Sequence, residues 1–218
     1  MISLFLDTSS NYLNIAVLRD GKILKEYREF FLRDLSKYAL YKVKEILDGE
    51  SLKPNDVDEI ICVNGPGSFT GLRVGTTIAK TFAWGLNKDL YGVSSLFNMA
   101  CSLIGGSKDY IIPIIDARRN YLYAAIYDKN GNIVLNDSYI SKEELLDKVK
   151  DLKGSFDFVS INEISGIDST LFVPKINVLY QKFVKQKVNP HTFVPNYLKK
   201  TEAEENLAKW YLKQALIN

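Results

Sequence analysis

The residues best suited to chemistry lie in one run, Asn64-Gly65-Pro66-Gly67-Ser68-Phe69-Thr70-Gly71-Leu72-Arg73-Val74-Gly75. It follows the β-branched stretch of Ile60, Ile61 and Val63 and leads into apolar residues at helical spacing, so a strand ends in a turn that opens a helix. Gly65 and Gly67 permit positive φ, and Pro66 removes one donor. Ser68 or Thr70 is placed to cap the helix, whose first amides have no partner within it. Those amides and the helix dipole can together hold an anion, with Gly65, Gly67 and Ser68 nearest to it. The run matches neither standard phosphate loop. Thr70 stands where a dinucleotide fingerprint needs its third glycine, and Leu72-Arg73 replaces the Lys-Ser/Thr of a Walker loop. A tight turn with close helix packing and no ligand accounts for the same residues.

Other chemistry is thinly supplied. Cys62 and Cys101 form no Cys-x-x-Cys pair, and His191 is the only histidine, so paired-histidine and thiolate metal sites are not expected. Lysine and arginine number 28 against 26 acids, a net charge of +2, which gives no electrostatic footprint for nucleic acid. Arg118-Arg119 and Lys199-Lys200 read as solvated faces. Hydrophobic content of 46% with 25% charged residues fits a globular chain. Neither a signal peptide nor a membrane-spanning run is apparent, so the expected location is cytoplasmic.

The elements that must position the run come in two copies. Residues 7–17 and 116–126 share Asp, Asn, Tyr, Leu and Ala at a constant offset, from Asp7 and Asp116 onward. Each copy follows an apolar strand and runs into a hairpin turn, Asp20-Gly21 or Asn130-Gly131. A helix comes next: residues 35–47 carry a stripe of Leu35, Ala39, Val43 and Ile46, and residues 141–152 are amphipathic in the second copy. The helix over 72–86 sets Gly75, Ile78, Ala79, Phe82 and Ala83 on one face. Its small residues at four-residue steps allow another helix to approach closely. Residues 190–195 read as a linker, and Thr201 with Glu204 forms a capping box for a last helix. The organisation expected is an N-terminal subdomain over 1–105, a C-terminal subdomain over 106–200, and a helix over 201–218 returning to the first.

This duplication resembles the actin, Hsp70 and sugar-kinase architecture: an α/β fold of two related subdomains, each a mixed β-sheet with a β-hairpin and flanking helices. More closely, the chain resembles the bacterial TsaB (YeaZ) family. The resemblance rests on Leu6-Asp7-Thr8-Ser9, the whole of residues 65–75, Gly92-Val93-Ser94-Ser95-Leu96, Asp116-Ala117-Arg118-Arg119, and Pro195-Asn196-Tyr197-Leu198 with Ala203-Glu204. These motifs span nearly the full length.

The resemblance implies a non-catalytic platform, without a metal site, acting with TsaD and the ATPase TsaE. That machine places threonylcarbamoyl on the adenosine beside the tRNA anticodon, and tRNA is met only indirectly. The family's helices would pair with TsaD, or with a second copy as a homodimer when TsaD is absent. Carried onto this chain, the interface is Leu35, Ala39, Val43, Ile46, Gly75, Ile78, Ala79, Phe82 and Ala83, and Ala79→Glu or Ala83→Glu should break it. A His-Ser pair often begins the first of these helices in the family; Leu35-Ser36 stands here instead. The actin-like class places an acid near phosphates, which implies a cleft site of Asp7, Thr8, Ser9, Gly65, Gly67, Ser68 and Asp116. ATP or ADP would bind there weakly, or at the partner interface, or not at all. The alternatives are a stand-alone phosphotransferase and a glycoprotease-like hydrolase.

Overall fold

The structure, a computed structural model, describes residues 1–199. The helix expected over 201–218 lies outside the described residues.

Strands β1 (Ile2–Asp7), β2 (Tyr12–Arg19), β3 (Lys22–Phe30), β4 (Glu59–Gly65) and β5 (Asp89–Ser94) form one sheet in the order β3-β2-β1-β4-β5. The β1–β2 and β2–β3 pairs are antiparallel, and β1–β4 and β4–β5 are parallel. Strands β6 (Tyr110–Asp116), β7 (Tyr121–Asp128), β8 (Ile133–Ser141), β9 (Phe156–Ser160) and β10 (Thr170–Leu171) repeat that order as β8-β7-β6-β9-β10. The expected duplication is therefore present. β1 is buried along all six residues because both faces of its sheet are covered, so apolar residues fall on both of its faces, with Ser3 and Asp7 the polar exceptions.

Helices α1 (Leu35–Gly49) and α2 (Phe69–Gly85) cover one face of the first sheet. Ala39, Val43, Ile46, Ala79 and Ala83 there join Leu4, Leu6, Leu13, Ile15 and Ile60. In the second half α4 (Lys142–Lys150), capped by Ser141, takes the place of α1. Between β9 and β10, where the first half has α2, residues 161–169 form no helix.

Two short helices lie between the sheets, and each packs mainly on the other half. α3 (Ser95–Ala100) follows the first sheet, yet Leu96, Met99 and Ala100 pack on Ile111, Ala125 and Val159 of the second. α5 (Ile176–Lys182) follows the second sheet, yet Ile176 and Leu179, with Phe183, pack on Phe5, Ala16 and Ile61 of the first. The exchange alters the expected organisation, because residues 176–193 belong by packing to the first half. Residues 190–195 are not a free linker: Phe193 is buried in the core shared by α1, α2 and the first sheet. Lys185 is held there by Glu59 (Nζ–O 2.8 and 2.9 Å), whose carboxylate also accepts from Ser3.

The repeat contains a slip. β2 and β7 correspond at the offset seen in sequence, but Asp7 pairs with Asn14, whereas the residue matching Asn14, Tyr123, pairs with Ile115. Ile115 thus occupies the place of Asp7, and Asp116 lies one residue beyond. A one-residue shift turns a side chain to the other face of a sheet, so the two aspartates are not structural twins.

Candidate functional site

A cavity of about 390 Å³ opens where the ends of β1 and β6 meet. Ser9, Ser10, Asn11 and Tyr12 line it from the first half with Gly67 and Ser68 from the turn before α2, and Asp116, Arg118, Tyr123 and Asn162 line it from the second. Ser9, Gly67, Ser68 and Asp116 of the expected site are therefore brought together. Asp7, Thr8 and Gly65 are not.

Asp7 is only 2% exposed and points away from the cavity. Its Oδ1 accepts from the Ser9 amide (2.8 Å), and its Oδ2 accepts from Asn98 (3.0 Å) and Asn14 (3.3 Å). Asn98 stands on α3, so this carboxylate ties the first strand to the crossing helix. Burial raises its pKa, against the lowering effect of the bonds from Ser9 and Asn14. The amide oxygens of Asn14 and Asn98 are buried with no partner.

The glycine run serves packing at most of its positions. Only Gly65 has positive φ (124°), and a Cβ on it would lie 2.6 Å from the Asn196 carbonyl. Gly67 does not take a left-handed conformation as expected; a Cβ there would overlap the carbonyl of Ser9. At Gly71 a Cβ would overlap the Thr8 carbonyl, and at Gly75 the Thr8 hydroxyl. Thr8 Oγ1 donates to the Gly71 carbonyl (2.7 Å) and the Ser68 amide donates to Ser9 O (2.7 Å). Ser68, not Thr70, caps α2 by accepting from the Gly71 amide (3.3 Å). The turn after β1 is pressed onto the start of α2, and that contact engages groups an anion would otherwise need.

The helix face expected to meet a partner needs a larger correction. Ala39, Val43, Ala79 and Ala83 are at most 1% exposed, Ile46 is 6% exposed, and Gly75 is buried against Thr8. Their small size lets α2 lie close to its own sheet. Ala79→Glu or Ala83→Glu would bury a charge in the core rather than test an interface. Leu35, Ile78 and Phe82 are partly buried at the margin of that core. What α1 and α2 present outward is Tyr38, Leu40 and Tyr41, with Phe69 and Trp84. Two grooves flank Leu40. One, of about 570 Å³, is lined by Tyr41, Val43, Leu47, Pro54 and Phe82 with Lys37, Lys44 and Asp48. The other, of about 470 Å³, is lined by Phe69, Arg73, Val74 and Ile78 with polar neighbours. The stripes read from spacing on α1 and α2 face the chain's own sheet, and the exposed apolar residues lie on the other sides of the same helices. The outer side carries Tyr38 and Leu40, which flank the stripe, and Tyr41 opposite it.

The described residues hold no cluster of three metal-ligating side chains. Burial pushes both thiols up, Cys101 to about 12. No helix among the described residues is long and apolar enough to cross a membrane.

Two sheets of one strand order facing across a cleft, with helices exchanged between them, define the actin/Hsp70/sugar-kinase class of fold. The profile of the family described as "TsaD: tRNA N6-adenosine threonylcarbamoyltransferase" matches residues 31–159. The tRNA threonylcarbamoyladenosine biosynthesis protein TsaB of Bacillus subtilis (strain 168) is 32% identical over 98% of this chain and 100% of its own. TsaB of Escherichia coli (strain K12) is 28% identical over 70% of this chain and 68% of its own. The chain belongs to the TsaB family. Two solved structures from Pseudomonas aeruginosa share the fold. One is YeaZ (TM-score 0.70, 22% identity, 90% of this chain and 99% of that one). The other is described as similar to the peptidase YeaZ (TM-score 0.71, 21% identity, 91% and 99%), and at that identity the likeness is one of fold.

Proposed function

We propose that this chain works in tRNA threonylcarbamoyladenosine biosynthesis as a non-catalytic subunit, docking the catalytic TsaD through the outer face of α1 and α2. The observation that carries the reading is the pair of apolar grooves flanking Leu40, a side chain 56% exposed between the exposed rings of Tyr38 and Tyr41. Exposed aromatic and aliphatic side chains in such a patch suit a protein surface. Without TsaD, a second copy would occupy the same face. TsaE joins the assembly through TsaD or beside it, and the site of action is the cytoplasm.

The stand-alone phosphotransferase is the weaker reading. Its acid, Asp7, is engaged by Ser9, Asn14 and Asn98, and the connection from β9 to β10 has no counterpart of α2. A weakly held ATP or ADP in the cleft remains compatible with Ser9, Ser68 and Asp116. For a hydrolase, the only histidine, His191, meets Trp84 edge-on (5.7 Å) on the surface and does not line the cleft.

Leu40→Glu tests the docking reading. An exposed substitution should alter stability by no more than about 0.5 kcal/mol, while a mixed complex with cognate TsaD, measured by light scattering, disappears. Ile133→Ser, an exposed apolar residue on β8 of the second half, should leave the complex intact. A Leu40→Glu chain that still assembles would place the interface elsewhere.

A further inference from the structure

The turn joining β6 to β7 breaks a local rule. Arg118, Arg119 and Asn120 all have positive φ, at 69°, 55° and 61°. A left-handed conformation costs a non-glycine residue energy, and three in succession without a glycine is a sequence choice that favours something other than the turn. The turn itself is held by backbone, the Ala117 amide donating to Tyr121 O and the Tyr121 amide to Arg118 O. Asp116 accepts from the Arg118 amide, which directs part of its charge to the turn. The arrangement leaves both arginine side chains exposed, with Arg118 at the cleft.

Beside the turn, on the inner face of the second sheet, Tyr121 and Tyr139 are stacked (4.7 Å, 12°) and Tyr123 leans on Tyr139 at 5.7 Å. Tyr121 is 40% exposed, and the Lys199 ammonium lies 5.6 Å from the Tyr139 ring. Flat rings edged by cations form a platform on which an unpaired base can stack while its phosphates meet arginine. A net charge of +2 conceals this local grouping.

The geometry points to a single-stranded RNA contact on this chain itself, with one base on Tyr121 and adjacent phosphates at Arg118 and Arg119. The choice of RNA rests on the tRNA-modification reading above, and it replaces the expectation that RNA is met only through partners.

Fluorescence anisotropy of the full chain alone, with a fluorescein-labelled single-stranded RNA 12-mer, tests it across a salt series. Tyr121→Ala should weaken binding about 5- to 150-fold, the effect of losing one stacked base. Arg118→Gly with Arg119→Gly should flatten the slope of log K against log salt by about 1.4, two single-strand phosphate contacts. Arg118→Lys should keep the slope, and the glycine variant should keep or raise its melting midpoint, since glycine accepts this backbone. Absence of RNA binding, or binding that these variants do not change, overturns the proposal. So does competition by ATP with no dependence on Tyr121, which would assign the arginines to a mononucleotide. If the variants instead abolish the mass of the TsaD complex and leave RNA binding intact, the surface is a protein interface. Light scattering with Leu40→Glu reads the docking proposal separately, so either can fail alone.

Discussion

The carboxylate of Asp7 shows how an acid suited by sequence position to phosphate chemistry becomes structural. It bonds within its own turn and reaches across to Asn98, and burial raises its pKa above the ordinary 3.8. Between those two values the folded chain keeps a proton that the unfolded chain has released. Its stabilising contribution is full below 3.8 and is lost as pH rises through the raised pKa. Asp7→Asn removes that dependence. The introduced amide can donate to the orphaned oxygens of Asn14 or Asn98, relieving a buried unpaired acceptor. In thermal unfolding from pH 4 to 8, the variant should gain on the parent as pH rises and then hold a constant lead. A difference independent of pH would mean that Asp7 keeps its ordinary pKa. The position of Asp7 was legible in the sequence; its direction was not, because both faces of β1 carry large apolar residues, Ile2, Leu4 and Leu6 on one and Phe5 on the other, and conceal the register.

Elements were legible where one face differs from the other. α1, α2 and α4 announce themselves by spacing, β4 by its β-branched run and β1 by its apolar residues, each strand ending in a turn. α3 was missed because its residues are nearly all buried, which removes the contrast that periodicity needs. α5 was missed for want of length, and β5 because Gly92 interrupts it and Val93 is its only β-branched residue. Where the pattern succeeded it still left open which neighbour covers the apolar face, and for Gly75, Ala79 and Ala83 the neighbour is the chain's own turn and sheet. Glycine replacements test this packing. Gly71→Ala places a methyl group on the Thr8 carbonyl and should destabilise by about 1–3 kcal/mol. Gly49→Ala and Gly85→Ala, at helix ends with open space around them, should be neutral or add about 0.4–1 kcal/mol. Urea titration separates the two cases, and a Gly71→Ala chain as stable as its parent would remove close packing as the reason for the run.

At the scale of the molecule, the halves are bound together by what they exchange. α3 completes the second half, and α5 with Lys185 and Phe193 completes the first. Lys185→Met leaves Glu59 buried beside Ser3 without its cation and should cost about 2–4 kcal/mol, toward the lower end because Lys185 is 32% exposed. The loss should appear as one cooperative transition in calorimetry. Two separated transitions would mean that the halves unfold independently. The same exchange sets an order of events during synthesis. The lower face of the first sheet, with Phe5 and Ile61 on it, is covered only in part, by Phe97 and Cys101, until α5 and Phe183 have left the ribosome, about 90 residues after β5. At roughly 5–20 residues per second that interval lasts about 5–20 s. The nascent chain must keep an apolar surface from wrong partners over that time, so a truncated message yields an aggregating product rather than a small folded domain.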